Sequence, residues 1–440
     1  MINVSKKIIN WHTLTHKEKI TLLKRPNINV DNIIKKSISQ IIRNVKKNGD
    51  SALHAYSLKF DRVKVNDFYV SQSRINNSDK YVSPSFQKAV LVAKDNIHEF
   101  HSKQVYPDLD VQTYPGVRCQ HITRPIHSVG LYVPKGSFPL VSTALMLLVP
   151  ARIAKCSNIV LCSPPPISNE ILYIAKILGV DSVLELGGAH AIAALALGTQ
   201  TIKRVDKIFG PGNIFVTEAK LQVSRRDINL SIDMPAGPSE VLIIADHNSH
   251  PAFIASDLLS QAEHDINAQV ILVSTSSVVA KQVINEFNHQ LQGLSRKKII
   301  LSSWQNSKII ITQSLLESFE VSNLYAPEHL ILHIDNARNY LSHIHNAGSV
   351  FLGKWTPGSA GDYVTGANHV LPTYGHANTF SSLRVSDFQK VITIQKMTKH
   401  SLQDLSCSIK ELSLSEGMDA HHQSVIIRTN SLKKTNVINE

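Results

Sequence analysis

The chain has 440 residues, a formal net charge of +12, 43% hydrophobic and 18% charged residues, which allows two or three domains with cores of their own and argues against a disordered polymer. Its Lys and Arg are spread thinly and never cluster beside aromatics, so the positive balance does not build a nucleic-acid-binding stripe. The longest apolar run, 140–154, is broken by Ser142, Thr143, Pro150 and Arg152 and is too short to span a bilayer. With no export signal at the amino terminus, a cytoplasmic location with no membrane partner is expected.

Residues 1–120 read as a mostly helical amino-terminal region packing on the core. Ile33, Ile34, Ile38, Ile41 and Ile42 recur at helical spacing over 30–47, a similar repeat covers 85–104, and Lys46-Lys47-Asn48-Gly49 is a helix stop. The run 140–154 reads as a buried helix. From about Pro125, short β-branched runs at 129–133, 159–162, 183–186, 207–209, 240–245, 270–274, 308–312, 330–334 and 349–352 alternate with helical segments. Such alternation predicts parallel sheets covered by helices. The expected fold is α/β: two successive doubly wound, incomplete Rossmann-like parallel-sheet domains, 121–236 and 237–385, with helical amino- and carboxyl-terminal extensions. In the tail, 386–440, a helix is expected over 402–414 and a strand over Ser424-Val-Ile-Ile-Arg428.

Cys119, Cys156, Cys162 and Cys407 are irregularly spaced with no Cys-x-x-Cys, which argues against a disulfide framework or a thiolate zinc knuckle. Neither α/β half carries Gly-x-Gly-x-x-Gly after its first strand. Instead, three strands end in glycine turns: Tyr132-Val-Pro-Lys135-Gly136-Ser137, Leu186-Gly187-Gly188-Ala-His190 and Phe209-Gly210-Pro211-Gly212-Asn213. Glycine permits close backbone approach and helix N-termini favour a pyrophosphate, although ordinary strand-to-helix connections look the same. Gln261 and His264 stand three apart in an expected amphipathic helix, on one face and within reach of a common ion; a helix cap is the plainer alternative. Asp233-Met-Pro235-Ala236-Gly-Pro-Ser239-Glu240 presents a hydroxyl or merely connects domains. Glu328-His329 precedes an apolar strand, where a water-orienting carboxylate or a general base would sit, or where solvated surface would. The loops around Asp362 and Asn368-His369 offer a carboxylate, an amide and an imidazole. Glu416 and His421, far from the other polar clusters in the chain, make sense if the tail reaches a partner subunit.

These stretches, Ser-Gln261-Ala-Glu-His264, Tyr325-Ala-Pro-Glu328-His329-Leu, Ser-Ala-Gly-Asp362-Tyr, Asn368-His-Val-Leu-Pro-Thr, Phe-Gly-Pro-Gly-Asn213 and Asp-Met-Pro-Ala-Gly-Pro-Ser239-Glu, closely resemble histidinol dehydrogenase, in unbroken order over about residues 5–432. The resemblance implies NAD-linked, zinc-dependent, four-electron oxidation of L-histidinol through L-histidinaldehyde to L-histidine. It implies one zinc per subunit on Gln261, His264, Asp362 and His421; substrate contacts from Ser239, His329 and Glu416 besides those ligands; and NAD at Tyr132, His190 and Asn213, on the first α/β domain. His329 would act as general base and Glu328 would activate water for aldehyde hydration. A homodimer with an exchanged carboxyl-terminal tail is also implied. Two departures stand out in the cofactor loops: the family has Gln at the position of His190 and Gly at that of Lys135. A zinc hydrolase, and a noncatalytic metal- or amine-binding relative, are the alternatives.

Overall fold

A computed structural model describes residues 5–26, 32–105, 107–135, 138–180, 182–226, 229–234 and 237–437. Gly136, Ser137, Pro235 and Ala236 of the loops above lie outside them. The chain divides into two compact units, one of Met1–Gln104 with Ile126–Phe388 and one of Val105–Pro125 with Gln389–Glu440. In chain order the strands are β1 (Ile8–Asn10), β2 (Leu109–Tyr114), β3 (Val117–Pro125), β4 (Ser128–Tyr132), β5 (Asn158–Ser163), β6 (Ser182–Glu185), β7 (Lys207–Phe209), β8 (Ser231–Ile232), β9 (Glu240–Ala245), β10 (Gln269–Ser274), β11 (Lys308–Ile311), β12 (His329–His333), β13 (Ser349–Leu352) and β14 (Gln389–Met397).

Two sheets organise the larger unit, in the orders β6-β5-β4-β7-β8 and β1-β11-β10-β9-β12-β13, with every ladder parallel. Counted from β4 and from β9, both follow the 3-2-1-4-5 course of a doubly wound sheet, which starts at its centre and reverses direction once. The expected fold class is therefore the observed one, and each of the nine expected strands is present to within one residue at either end. Their sequences made this legible. β9 and β10 are buried at every position, so they need continuous apolar runs rather than alternation. The covering helix Val141–Ile153 is buried on nearly all sides, as its largely apolar composition requires. Serine side chains of Ser168, Ser276 and Ser314 accept amide hydrogens at the starts of three other helices, satisfying donors that the helix itself leaves free.

The smaller unit differs from the sequence expectation. β2, β3 and β14 form an antiparallel sheet in the order β14-β3-β2, where helical structure was expected. β2 and most of β14 are exposed, so pairing, from Val117 opposite Met397 to Pro125 opposite Gln389, defines them rather than a buried face. The segment Ser424–Arg428 lies within the helix Asp419–Val437 instead of a strand. Its β-branched residues suggested otherwise, but His422, Val425, Ile426 and Thr429 are the more covered positions, and that i, i+3, i+4, i+7 stripe is helical. Among the described residues, no helix is long and apolar enough to cross a membrane.

Candidate active site

The amino-terminal ends of β9 and β12 adjoin each other in the second sheet, with His329 beside Val241 in register. This brings Glu240, Glu328 and His329 together. The Glu240 amide donates to Glu328 Oε2 at 2.7 Å, and the Glu240 carbonyl lies 3.0 Å from His329 Nδ1. A carbonyl only accepts, so Nδ1 carries hydrogen and Nε2 is left to face Asp362 Oδ1 at 3.7 Å. Glu328 Oε2 is 3.5 Å from the same imidazole. Burial by itself pushes His329 down, but Glu328 and Asp362 outweigh it and raise its pKa to about 10.

Asp362 sits on the short helix Gly358–Tyr363, which packs against the helix Pro251–Ala262. Burial opposes its ionisation, yet His329, then His369 and His264, hold its pKa below the usual carboxylate value. Gln261 is buried, and its Nε2 has no hydrogen-bond partner. His264 does not share a helical face with it: the helix ends at Ala262, and His264 follows in a turn with its amide on the Gln261 carbonyl at 3.3 Å. Just past His264, Asp265 Oδ1 accepts the Asn267 amide at 2.8 Å, a local turn that leads away from the helix. Ser239 is half-buried just ahead of Glu240, its carbonyl accepting from the Gln269 amide at 3.1 Å. Glu416 and His421 belong to the smaller unit, at the end of the helix Lys399–Ser415 and near the start of the helix Asp419–Val437, and both are exposed. Among the described residues, no three His, Cys, Asp or Glu side chains stand close enough to hold a metal by themselves.

His369 was visible in the sequence only as part of a polar loop. Its Nδ1 lies 2.7 Å from the Asp362 carbonyl and its Nε2 3.4 Å from Thr143 Oγ1, so it braces the backbone that carries Asp362. Arg25 and Asp61 gave no motif at all.

Tyr132, His190 and Asn213 lie at the carboxyl edge of the first sheet. Tyr132 Oη accepts the Gly188 amide at 3.0 Å, and Asn213 Oδ1 caps its helix by accepting the Phe215 and Val216 amides, each at 3.1 Å. Gly210 has φ +120°, and a Cβ there would lie 2.0 Å from the Tyr132 carbonyl oxygen, so only glycine fits this crossing. Its peptide is pinned by the buried Asp233–Lys220 ion pair: Asp233 Oδ2 accepts the Gly210 amide at 2.7 Å and Lys220 donates to the Gly210 carbonyl at 2.8 Å. Lys135 Nζ donates to the carbonyls of Pro165 and Pro166 at 3.3 and 3.4 Å.

His190 is 1% exposed, between Tyr56 and Phe60, with Nε2 3.6 Å from Asp61 and neither ring nitrogen hydrogen-bonded. Burial lowers its pKa from 6.5 to about 4, and burial raises that of Asp61 from 3.8 to about 6, with Lys135 pulling the other way. Between the unfolded and folded values of His190 the unfolded chain binds the extra proton, so this group withdraws stability as pH falls through that window; Asp61 acts in the opposite sense as pH rises through its own. Replacing His190→Gln removes the first effect alone. The stability gained by this variant over the parent, from denaturant unfolding, is expected to be larger at about pH 4.5 than at about pH 7.5; a gain independent of pH would contradict an enclosed neutral imidazole.

The histidinol dehydrogenase family model matches residues 23–429. The histidinol dehydrogenase of Buchnera aphidicola subsp. Baizongia pistaciae is 53% identical over 95% of this chain and 96% of its own, and that of Escherichia coli K12 is 50% identical over 97% and 98%. The crystal structure of histidinol dehydrogenase from Elizabethkingia anophelis superposes with a TM-score of 0.93 at 41% identity, covering 98% of each chain. The chain belongs to the histidinol dehydrogenase family of oxidoreductases.

Proposed function

We propose that this chain oxidises L-histidinol through bound L-histidinaldehyde to L-histidine, the closing steps of histidine biosynthesis, with NAD as hydride acceptor and one zinc ion per subunit. The observation that carries this reading is the Glu328–His329 pair, held by both main-chain groups of Glu240 and facing Asp362, in a chain aligned end to end with histidinol dehydrogenases. The residues fit zinc: a buried glutamine amide with an unpartnered atom, a carboxylate held ionised and an imidazole whose charge acts on that carboxylate supply oxygen and nitrogen donors without thiolate. Gln261, His264 and Asp362 would hold the ion together with His421. When bound, zinc would grip the amine and imidazole of the substrate and so orient its carbinol carbon.

His329 Nε2 takes the hydroxyl proton as hydride leaves carbon for the nicotinamide. Glu328 and Asp362 together hold this imidazole protonated, so it serves as a base once that proton has been lost. Glu328 then withdraws a proton from the water that adds to the aldehyde, and His329, having released its first proton to solvent, takes the hydroxyl proton of the hydrate as the second hydride departs. Ser239 and Glu416 contact the substrate. NAD would lie over the glycine turns at Tyr132, His190 and Asn213, at the strand ends where doubly wound sheets bind nucleotides.

A second copy of the chain would supply Glu416 and His421 through an exchanged tail. In support, one face of the smaller unit's sheet exposes Leu109, Val111, Tyr114 and Val391, an apolar surface that suits a partner. Incubation with L-histidinol and NAD is expected to generate the absorbance of reduced nicotinamide, lost on chelation and restored by zinc. A zinc hydrolase would leave the nicotinamide oxidised, and a noncatalytic relative would bind histidinol without turnover.

A further inference from the structure

Glu240 is 2% exposed at the first position of β9, and nothing in the chemistry above uses its carboxylate. That carboxylate is nevertheless gripped on three sides. Arg25 Nε pairs with Oε1, Arg25 Nη2 donates to Oε2 at 2.9 Å, and the Tyr374 amide donates to Oε1 at 3.2 Å. Arg25 Nη2 also reaches the carbonyls of Tyr325 at 2.7 Å and Ala326 at 3.2 Å, and its guanidinium lies 4.0 Å from the centre of the Tyr325 ring. Ala326, at φ +50°, is the left-handed turn that delivers Pro327, Glu328 and His329 to β12. One cation from the amino-terminal segment therefore fixes both the start of β9 and the turn before β12.

We propose that Arg25 and Glu240 form a positioning clamp for the active pair, resting on the roles of Glu328 and His329 given above. The Glu240 side chain is the anchor and its main chain is the working part: the amide holds Glu328 Oε2 and the carbonyl fixes hydrogen on His329 Nδ1. With both main-chain groups held, Nδ1 keeps its hydrogen and Nε2 is turned toward Asp362, the side on which the proposed substrate would lie. An ion pair this buried contributes little net stability compared with apolar residues, but removing one partner leaves an uncompensated charge beneath the reacting groups. A planar guanidinium is needed, because a lysine ammonium does not span a carboxylate and two carbonyls at once in a fixed plane.

The test uses the full-length, zinc-loaded protein. Arg25→Ala is expected to lower kcat for histidinol oxidation roughly ten- to a hundredfold, with KM changed by less than about threefold, and added methylguanidine is expected to restore part of kcat. Arg25→Lys, for the case in which the alanine variant does not fold, is expected to lose kcat in the same direction. Independently of turnover, the slowly exchanging Nδ1–H nuclear magnetic resonance signal of His329 is expected in the parent and lost to solvent exchange in the variants. Folded variants with parental kcat and an intact Nδ1–H signal would overturn the clamp, as would a loss carried by KM that methylguanidine does not relieve. A parent that keeps this signal but never reduces NAD with histidinol would instead contradict the proposed function.

Discussion

Replacing His329 by alanine is expected to suppress NADH formation from both L-histidinol and L-histidinaldehyde, by roughly 10²–10⁴-fold, while zinc stays bound. Both oxidations need a base at the same place, because each releases a hydroxyl proton as hydride leaves. Nε2 is the one nitrogen available for it, Nδ1 being committed to the Glu240 carbonyl at 3.0 Å. The imidazole is absent from the proposed ligand set, so metal content measured after dialysis should match the parent. In the parent, the rate should rise with pH as His329 loses its proton, since only the neutral ring accepts another. That rising limb should vanish in the variant. Loss of the metal along with activity would overturn the assignment of His329 as base.

The second large effect is expected from Glu328→Gln, and it should divide the two steps. Glu328 is buried, with Oε2 on the Glu240 amide and 3.5 Å from His329, so the isosteric amide keeps its place by accepting the same hydrogen through its oxygen. What it loses is the capacity to take a proton. Hydride transfer from the alcohol, served by His329, should be slowed modestly, whereas hydration of the aldehyde should become limiting. Starting separate reactions from L-histidinol and from L-histidinaldehyde makes the comparison. A much larger loss from the aldehyde is expected; equal losses from both substrates would count against water activation by Glu328.

Much of this architecture was legible because the parallel sheets are buried on both faces, which forces apolar runs such as 241–245 and 270–273 into the sequence. The antiparallel sheet escaped notice for the opposite reason: β2 has no buried position, so nothing but pairing with β3 marks it. The helix Asp419–Val437 was misread through Val425, Ile426 and Ile427, whose β-branched side chains resemble a strand while their coverage follows a helical stripe. At the site, Glu328-His329 was readable as a dipeptide placed just before an apolar strand. Gln261 and His264 were legible as a pair but not in their geometry, because the helix ends at Ala262, between them. Arg25 left no trace in the sequence, since its partners lie some two hundred and three hundred positions away and a lone arginine carries no spacing.

The most direct test is the number of NAD molecules reduced for each L-histidinol consumed, measured with limiting substrate and excess cofactor on the zinc-loaded protein. Two successive hydride transfers at one site predict two NADH per histidinol, with L-histidine as the product and no free aldehyde trapped by an added amine reagent. One NADH per histidinol with aldehyde released into solution, or substrate consumed with no NADH formed, would contradict it.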